Sequence, residues 1–460
     1  MNKKFPALAL TAVFLLVISA ACQRTEEGPS PFTAIEGATV IDGVSNEPIP
    51  DAVIVIEGDM IRLIGPREKV SIPGGANRIN AAGKTILPGI LCVHGHLAMA
   101  EGLERKAEFY NRERLQRDAN AYLYYGVTHM LSMGIDMEPI WGFVADQRAG
   151  KVGGARLYTA GLGFAAKDGW RPGGYNNIHR PTTVQEAREM VRQELQKKPD
   201  VLKIWVDDQN AELLKLPPDL YGAIIDEAHN NNVRVFVHMK TLSDTKELIR
   251  RGVDVLAHSV RDKEVDEEFL QLAKSRGVIQ LATMAGMEGT LAYAEGNPPF
   301  LSDPGLPVLF PASLLETFGS KQYQEQTAKS PTLRDTRREY EIALKNTAKA
   351  AAAGIPIALG TDSGSPGRFP GLWEHREMEL LVRAGLTPMQ AIQAATINGA
   401  RTLQVDAKYG SLEGGKVADF IILNADPLAD ITNSRKIDSV WMNGKQVDRN
   451  ALATARTGTY

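Results

Sequence analysis

Six side chains along this sequence have the types and positions that bind and activate metal ions. His94 and His96 form an H-x-H pair just after "TILPGILCV", His238 ends "VRVFVH", His258 ends "VDVLAH", and Asp362 ends "IPIALGTD". Each closes an apolar run and is followed by a polar or glycine-containing turn. Alternation along a strand points both rings of the H-x-H pair to the same side, so they can hold one ion together. The sixth residue is Lys203, placed in "VLKIWV" among apolar, β-branched and aromatic residues of the kind that fill a doubly covered strand. An ammonium there faces a large desolvation cost. Desolvation lowers a lysine's proton affinity, and its neutral amine can combine with CO2 to give N6-carboxylysine, an anion whose two oxygens can bridge two metal ions. Four neutral imidazoles, one carboxylate and one carbamate suit a pair of divalent ions about 3.5–4 Å apart with a hydroxide between them.

Taken singly, each residue has a plainer reading. A strand-end histidine is commonly a hydrogen-bonded core residue, the Asp of "GTDSG" is a common turn residue, and Lys203 could pair with Asp207 or Asp208. It is the occurrence of all six in order, each at a strand terminus, that argues for a metal site.

The elements that must position them follow from the texture of the chain. From about residue 85 to 403, short apolar runs alternate with amphipathic segments such as "DLYGAIIDEAHNNN", "DTKELIRRG" and "DEEFLQLAKSRG". Strand–helix alternation with buried strands predicts a parallel sheet in an α/β fold, and enough units fit for a (β/α)8 barrel whose strand C-termini converge on one mouth. Lys203 is expected to end the fourth strand. The regular spacing is broken at about 284–345, where "EGNPPFLSDPGLPVLFP" and a charged helix form an insertion of the length that marks a lid or binding loop. Residues 33–84 and 404–455 read instead as β-prone runs separated by Asp-Gly, Pro and Gly turns, which predicts a small composite β-sandwich built from both ends.

The first 22 residues carry Lys3 and Lys4 before "ALALTAVFLLVISAAC", the pattern of an export signal too short to span a membrane comfortably. Cys22 after "SAA" resembles the lipid-modified cysteine of bacterial lipoproteins, although Ser19 stands where Leu, Val or Ile is usual; ordinary cleavage after Ala21 is the alternative. Both readings imply export, to the periplasm or to a lipid-anchored position at the outer membrane, with membrane contact only through that lipid. The 460 residues carry a net charge of −3 and are 43% hydrophobic, so nothing in the balance suggests nucleic acid as a partner. With only Cys22 and Cys92, no disulfide framework exists.

The order H-x-H, Lys, His, His, Asp on strands one, four, five, six and eight resembles the amidohydrolase superfamily. The β-rich ends, and "LEGGKVADFIILNADPL" in particular, are similar to its imidazolonepropionase-like members. The resemblance implies that His94, His96 and Asp362 hold the more buried metal, that His238 and His258 hold the second, and that carboxylated Lys203 bridges them. Zinc suits the ligands, with manganese or iron able to substitute. It also implies hydrolysis by a metal-activated water, with Asp362 taking its proton and passing it to a leaving nitrogen. Two departures stand out. Cys92 occupies the place of a usual Asp two residues before His94, and "HMKTLS" lacks the H-x-x-E of the base deaminases, arguing against deaminase and imidazolonepropionase chemistry.

"LKIWVDD", "AHSVRD" and "WEHREMELLVRAGLTPMQAIQAAT" resemble Xaa-Pro dipeptidase and N-acyl-amino-acid carboxypeptidase types. That implies amide hydrolysis of a small, carboxylate-bearing molecule. A lactone, carbamate or phosphoester hydrolase using the same site is the alternative, and a silent scaffold protein a third reading. The candidate substrate contacts are Arg171, Tyr175 and His179 in "KDGWRPGGYNNIHRP", and Arg261 after His258; loop packing and a surface ion pair are their plainer roles. His129 reads as a core histidine and His229 as a solvated helix residue, with His375 open between site and core. A homo-oligomer is expected.

Overall fold

The computed structural model describes residue 1 and residues 30–171, 175, 177–296 and 298–454. The expected export segment, including Cys22, lies outside the described residues except for Met1.

Both β-rich ends meet in one eight-stranded sheet. From the N-terminal end come Phe32–Val40, Ile49–Glu57, Met60–Pro66, Asn77–Asn80 and Thr85–Pro88; from the other come Phe420–Leu423, Ile437–Met442 and Lys445–Gln446. Thr85–Pro88 pairs antiparallel with Phe420–Leu423, which joins the two ends. Where the sequence predicts two facing layers, hydrogen bonding runs continuously through this sheet. Its core is the set of alternating inward residues, with Ile35, Ile54, Ile56, Ile86 and Phe420 buried and Phe420 stacked on Trp441 at 5.3 Å. Gly37, at φ +86°, sits where the register shifts between Glu36 and Ala38, a bulge that glycine accommodates without steric cost.

The rest is α/β. Three parallel strands, Ile90–Gly95, Val127–Ser132 and Arg156–Thr159, form one set; five more, Leu202–Trp205, Val235–His238, Val255–Leu256, Ile279–Leu281 and Ile357–Ala358, form another. Helices separate them, and several start on side-chain caps. Asn111, Thr183, Thr241 and Asp266 each accept a bond from a backbone N–H in the first turn, worth about 1 kcal/mol apiece. Parallel strands covered on both faces need apolar side chains throughout, which is why Leu202, Ile204, Val235 and Val237 are fully buried.

The insertion at about 284–345 is mainly helical. It contains Met284–Glu295, Ala312–Gly319, Lys321–Ala328 and the first part of Leu333–Ala352. Phe310, Leu314 and Phe318 from it line a crevice with residues 364–370, just beyond Asp362.

Candidate metal centre

His94 is the penultimate residue of the strand Ile90–Gly95, and His96 follows it. Their rings lie 5.7 Å apart, and both Nε2 atoms approach Asp362 Oδ1, at 3.4 Å from His94 and 2.9 Å from His96. These three residues form a group able to hold one metal ion. Asp362 adopts φ +61° just past Ile357–Ala358, and both neighbours in the chain are pinned. The hydroxyls of Thr361 and Ser363 donate to Glu374 Oε1 at 2.7 and 2.8 Å. Glu374 thus fixes a turn that a non-glycine residue rarely adopts.

His238 ends its strand and His258 lies two residues beyond Val255–Leu256. Their rings are 4.5 Å apart, and the His258 ring is 5.0 Å from that of His94. His238 Nε2 contacts Asp207 Oδ2 at 2.9 Å, while His258 Nδ1 contacts Thr283 Oγ1 at 2.6 Å.

Lys203 is not the last residue of its strand, as the sequence suggests, but the second of Leu202–Trp205. A strand's alternation turns it inward all the same. The plainer pairing is also ruled out, because Asp207 engages His238 and Asp208 engages Lys215. Among the described residues no carboxylate forms an ion pair with Lys203; its Nζ lies 5.6 Å from the Trp205 ring. Burial pushes its pKa down to about 7, with Asp362 opposing. A neutral amine is therefore accessible near neutrality, as carbamate formation requires.

The imidazoles fit a metal as well. Burial pushes His94 down to about 3 and holds His258 well below its ordinary value; it pushes His238 down to about 4 against the pull of Asp207. Neutral imidazoles are the form that binds metals. Burial raises the Asp362 carboxyl, but contacts with His94 and His96 outweigh this and hold it well below the usual carboxylate range. All six side chains line one cleft of about 200 Å³, together with Met99, Arg105, Ile135, Trp170, Trp205, Ser365 and Arg368.

Other candidates lie elsewhere. His179 contacts Glu194 at 3.0 Å and stacks on Phe164. The buried Tyr175 hydroxyl donates to the carbonyls of Met99 and Lys106. Arg171 is exposed in a groove with Lys167, Asp168 and Arg180, and Arg261 donates to the Met239 carbonyl beside Glu339. None of the four lines the cleft. His129 is buried beside Arg156, His229 pairs with Asp254, and His375 bridges Ser434 and the Tyr125 carbonyl. Cys92, at the expected Asp position, is fully buried, its Sγ 3.4 Å from the His94 carbonyl and 3.8 Å from Thr361 Oγ1. Burial pushes the thiol up, so it stays protonated. Sequence reasoning missed Arg105, Glu374 and Arg368. For Arg368 a signal existed, a lone cation in the Gly/Pro-rich "GSPGRFPG" directly after Asp362.

The amidohydrolase family profile matches residues 85–447, and the chain belongs to that family of hydrolases. Among curated relatives, ochratoxinase of Aspergillus niger is 26% identical over 462 residues, covering 90% of this chain and 86% of its own. Imidazolonepropionase of Pseudomonas syringae is 24% identical, with 86% and 91% covered. A Xaa-Pro dipeptidase solved with methionine in its active site superposes with a TM-score of 0.73 at 22% identity, covering 90% of this chain and 99% of its own. The crystal structure of A. niger ochratoxinase gives 0.71 at 22%, with 91% and 96% covered. At these identities the structural likeness speaks for the fold.

Proposed function

We propose that this enzyme hydrolyses the amide bond of a small, carboxylate-bearing molecule such as a dipeptide or an N-acyl amino acid, using two divalent ions, zinc by preference. The observation that carries this reading is the convergence of four imidazoles, one carboxylate and an unpaired, desolvated lysine on one cleft. His94, His96 and Asp362 would hold one ion, His238 and His258 the other, with Lys203 as N6-carboxylysine between them. In forming the carbamate, Nζ bonds to the carbon of CO2 and loses a proton. Bound divalent ions would supply a lowered water pKa and polarisation of the scissile carbonyl. Asp362 is ionised and accepts the proton of the attacking water on a carboxylate oxygen, then delivers it to the leaving nitrogen. Trp170, Trp205, Met99 and Ile135 exclude bulk water from the reacting atoms.

The same reading has the two parallel sets closing into one (β/α)8 ring. It is supported by parallel bridges between Gly95 and Ser363 and between Phe164 and Ile204, and by the Val93 N–H donating to the Leu359 carbonyl at 2.9 Å. Export remains part of the proposal on the sequence grounds given above, and so does the expectation of a homo-oligomer.

The test is a library of dipeptides and N-acyl amino acids assayed on zinc-loaded protein beside chromogenic lactones, carbamates and phosphotriesters. Amide cleavage above the other classes supports the reading. Faster ester or phosphotriester cleavage replaces it, and near-zero metal in protein purified without chelator would make the chain a silent scaffold.

A further inference from the structure

The cleft carries positive charge that the hydrolytic chemistry does not use. Arg105 ends the short strand Glu104–Arg105, which pairs with Ala100–Glu101 in a hairpin at the rim. Its side chain lines the cleft beside Arg368. Arg114, by contrast, is neutralised by Glu101 of the same hairpin. Among the described residues no carboxylate pairs with Arg105. Arg368 donates to Asp362 Oδ2 at 2.8 Å, sharing its charge with a residue already engaged by His94 and His96. Two guanidiniums therefore face one space, Arg105 exposed at its rim and Arg368 half-buried beside it.

Like charges held together at a partly desolvated rim are relieved by an anion between them. A planar carboxylate matches the fork of guanidinium donors better than it would match an ammonium. The remaining walls, Met99, Ile135, Trp170 and Trp205, are largely apolar and suit the rest of a compact molecule. With about 200 Å³ available, that anion must lie only a few atoms from the bond being cleaved.

We propose that Arg105, with Arg368, forms the subsite that receives the substrate's carboxylate and selects free acids over their neutral amides. This rests on the amide-hydrolase reading above. It replaces Arg171 and Arg261, which lie outside the cleft, in that role. Arg105 makes no hydrogen bond or ion pair with any of the six metal-centre residues and reaches Asp362 only through its charge, whereas Arg368 bonds Asp362 directly, so Arg105 is the residue to change.

The experiment compares wild type with Arg105→Gln and Arg105→Lys on matched pairs, an N-acyl amino acid and its α-carboxamide. Wild type should favour the acid. Arg105→Gln should lower kcat/KM for the acid about 10- to 100-fold, chiefly through KM, and leave the carboxamide unchanged, while Arg105→Lys recovers part of the loss. Equal effects on both substrates, or no effect, overturn the subsite. Calorimetry with an N-benzyl amino acid and its carboxamide, neither containing a cleavable acyl–nitrogen bond at that position, separates this from failure of the hydrolase reading. Wild type should bind the acid more tightly and Arg105→Gln should lose that preference, whether or not any amide is turned over. Equal or undetectable wild-type binding of the two overturns the proposal.

Discussion

His238 turns its Nε2 to Asp207 Oδ2 at 2.9 Å, both side chains being buried. The contact fixes the ring and leaves Nδ1 as the atom available to an ion. Burial raises the Asp207 carboxyl, yet its bond to His238 prevails and holds it at about 2, so it is ionised whenever the enzyme works. Partners of this kind commonly set metal affinity by 10- to 100-fold. Asp207→Asn should therefore weaken divalent binding by about that factor in competition with a chromogenic chelator. Asp208→Asn, at a residue paired with Lys215, should leave affinity unchanged.

On the proposed reading Asp362 joins two tasks, holding metal and moving a proton. Removing its basicity while keeping its shape should separate them. Asp362→Asn is expected to retain appreciable zinc by elemental analysis while losing at least about 100-fold in kcat. An active variant would take the proton-transfer role away from Asp362.

Lys203 gives a pH dependence with a definite sign. Its folded pKa of about 7 means that the reactive neutral amine is the minority form below that pH and the majority form above it. Metal-free protein given zinc and bicarbonate should regain activity faster at pH 8 than at pH 6, with Lys203→Ala failing to regain it at either. The rate of recovery after chelator removal measures this. A pH-independent recovery would contradict carbamate formation at this amine.

Gly134, two residues past the end of the strand Val127–Ser132, packs against that lysine. It adopts φ +85°, and a Cβ there would lie 2.7 Å from Lys203 Cγ and 2.6 Å from Trp205 Cη2. Both the backbone and the contact oppose any side chain. Gly134→Ala should lower thermal stability and reduce bound metal together. Full metal occupancy with unchanged activity would show that Lys203 has room to move.

What could be read from the sequence, and what could not, divides along physical lines. His94, His96, His238 and His258 were legible because strand ends carry local signals, namely apolar runs of fixed length broken by polar turns. Asp362 was legible for the same reason, whereas the Glu374 that fixes its turn was not. Glu374 lies in the helix Leu372–Arg383, and its hydrogen bonds to Thr361 and Ser363 arise only from the packing of that helix. Arg105 was hidden for a related reason: a two-residue rim strand has no periodicity to detect. Arg171, Tyr175 and His179 stand out only through the composition of one loop, and composition does not state which way a side chain turns. From that loop it is Trp170 that reaches the cleft, its ring 4.5 Å from that of His238.

The seam between Thr85–Pro88 and Phe420–Leu423 sets a timetable for the molecule's assembly. The strand bearing His94 leaves the ribosome well before the segment that buttresses its approach, because Phe420 pairs with Pro88 across more than 300 residues of chain. A nascent polypeptide must keep that edge unmatched until Phe420–Leu423 has been made, and contacts so distant in sequence form slowly. A cut between the barrel and Phe420 would remove that partner and leave Ile86 and Leu87 uncovered just before the strand that carries His94, so cleavage far along the chain is expected to reach the site through its supporting sheet.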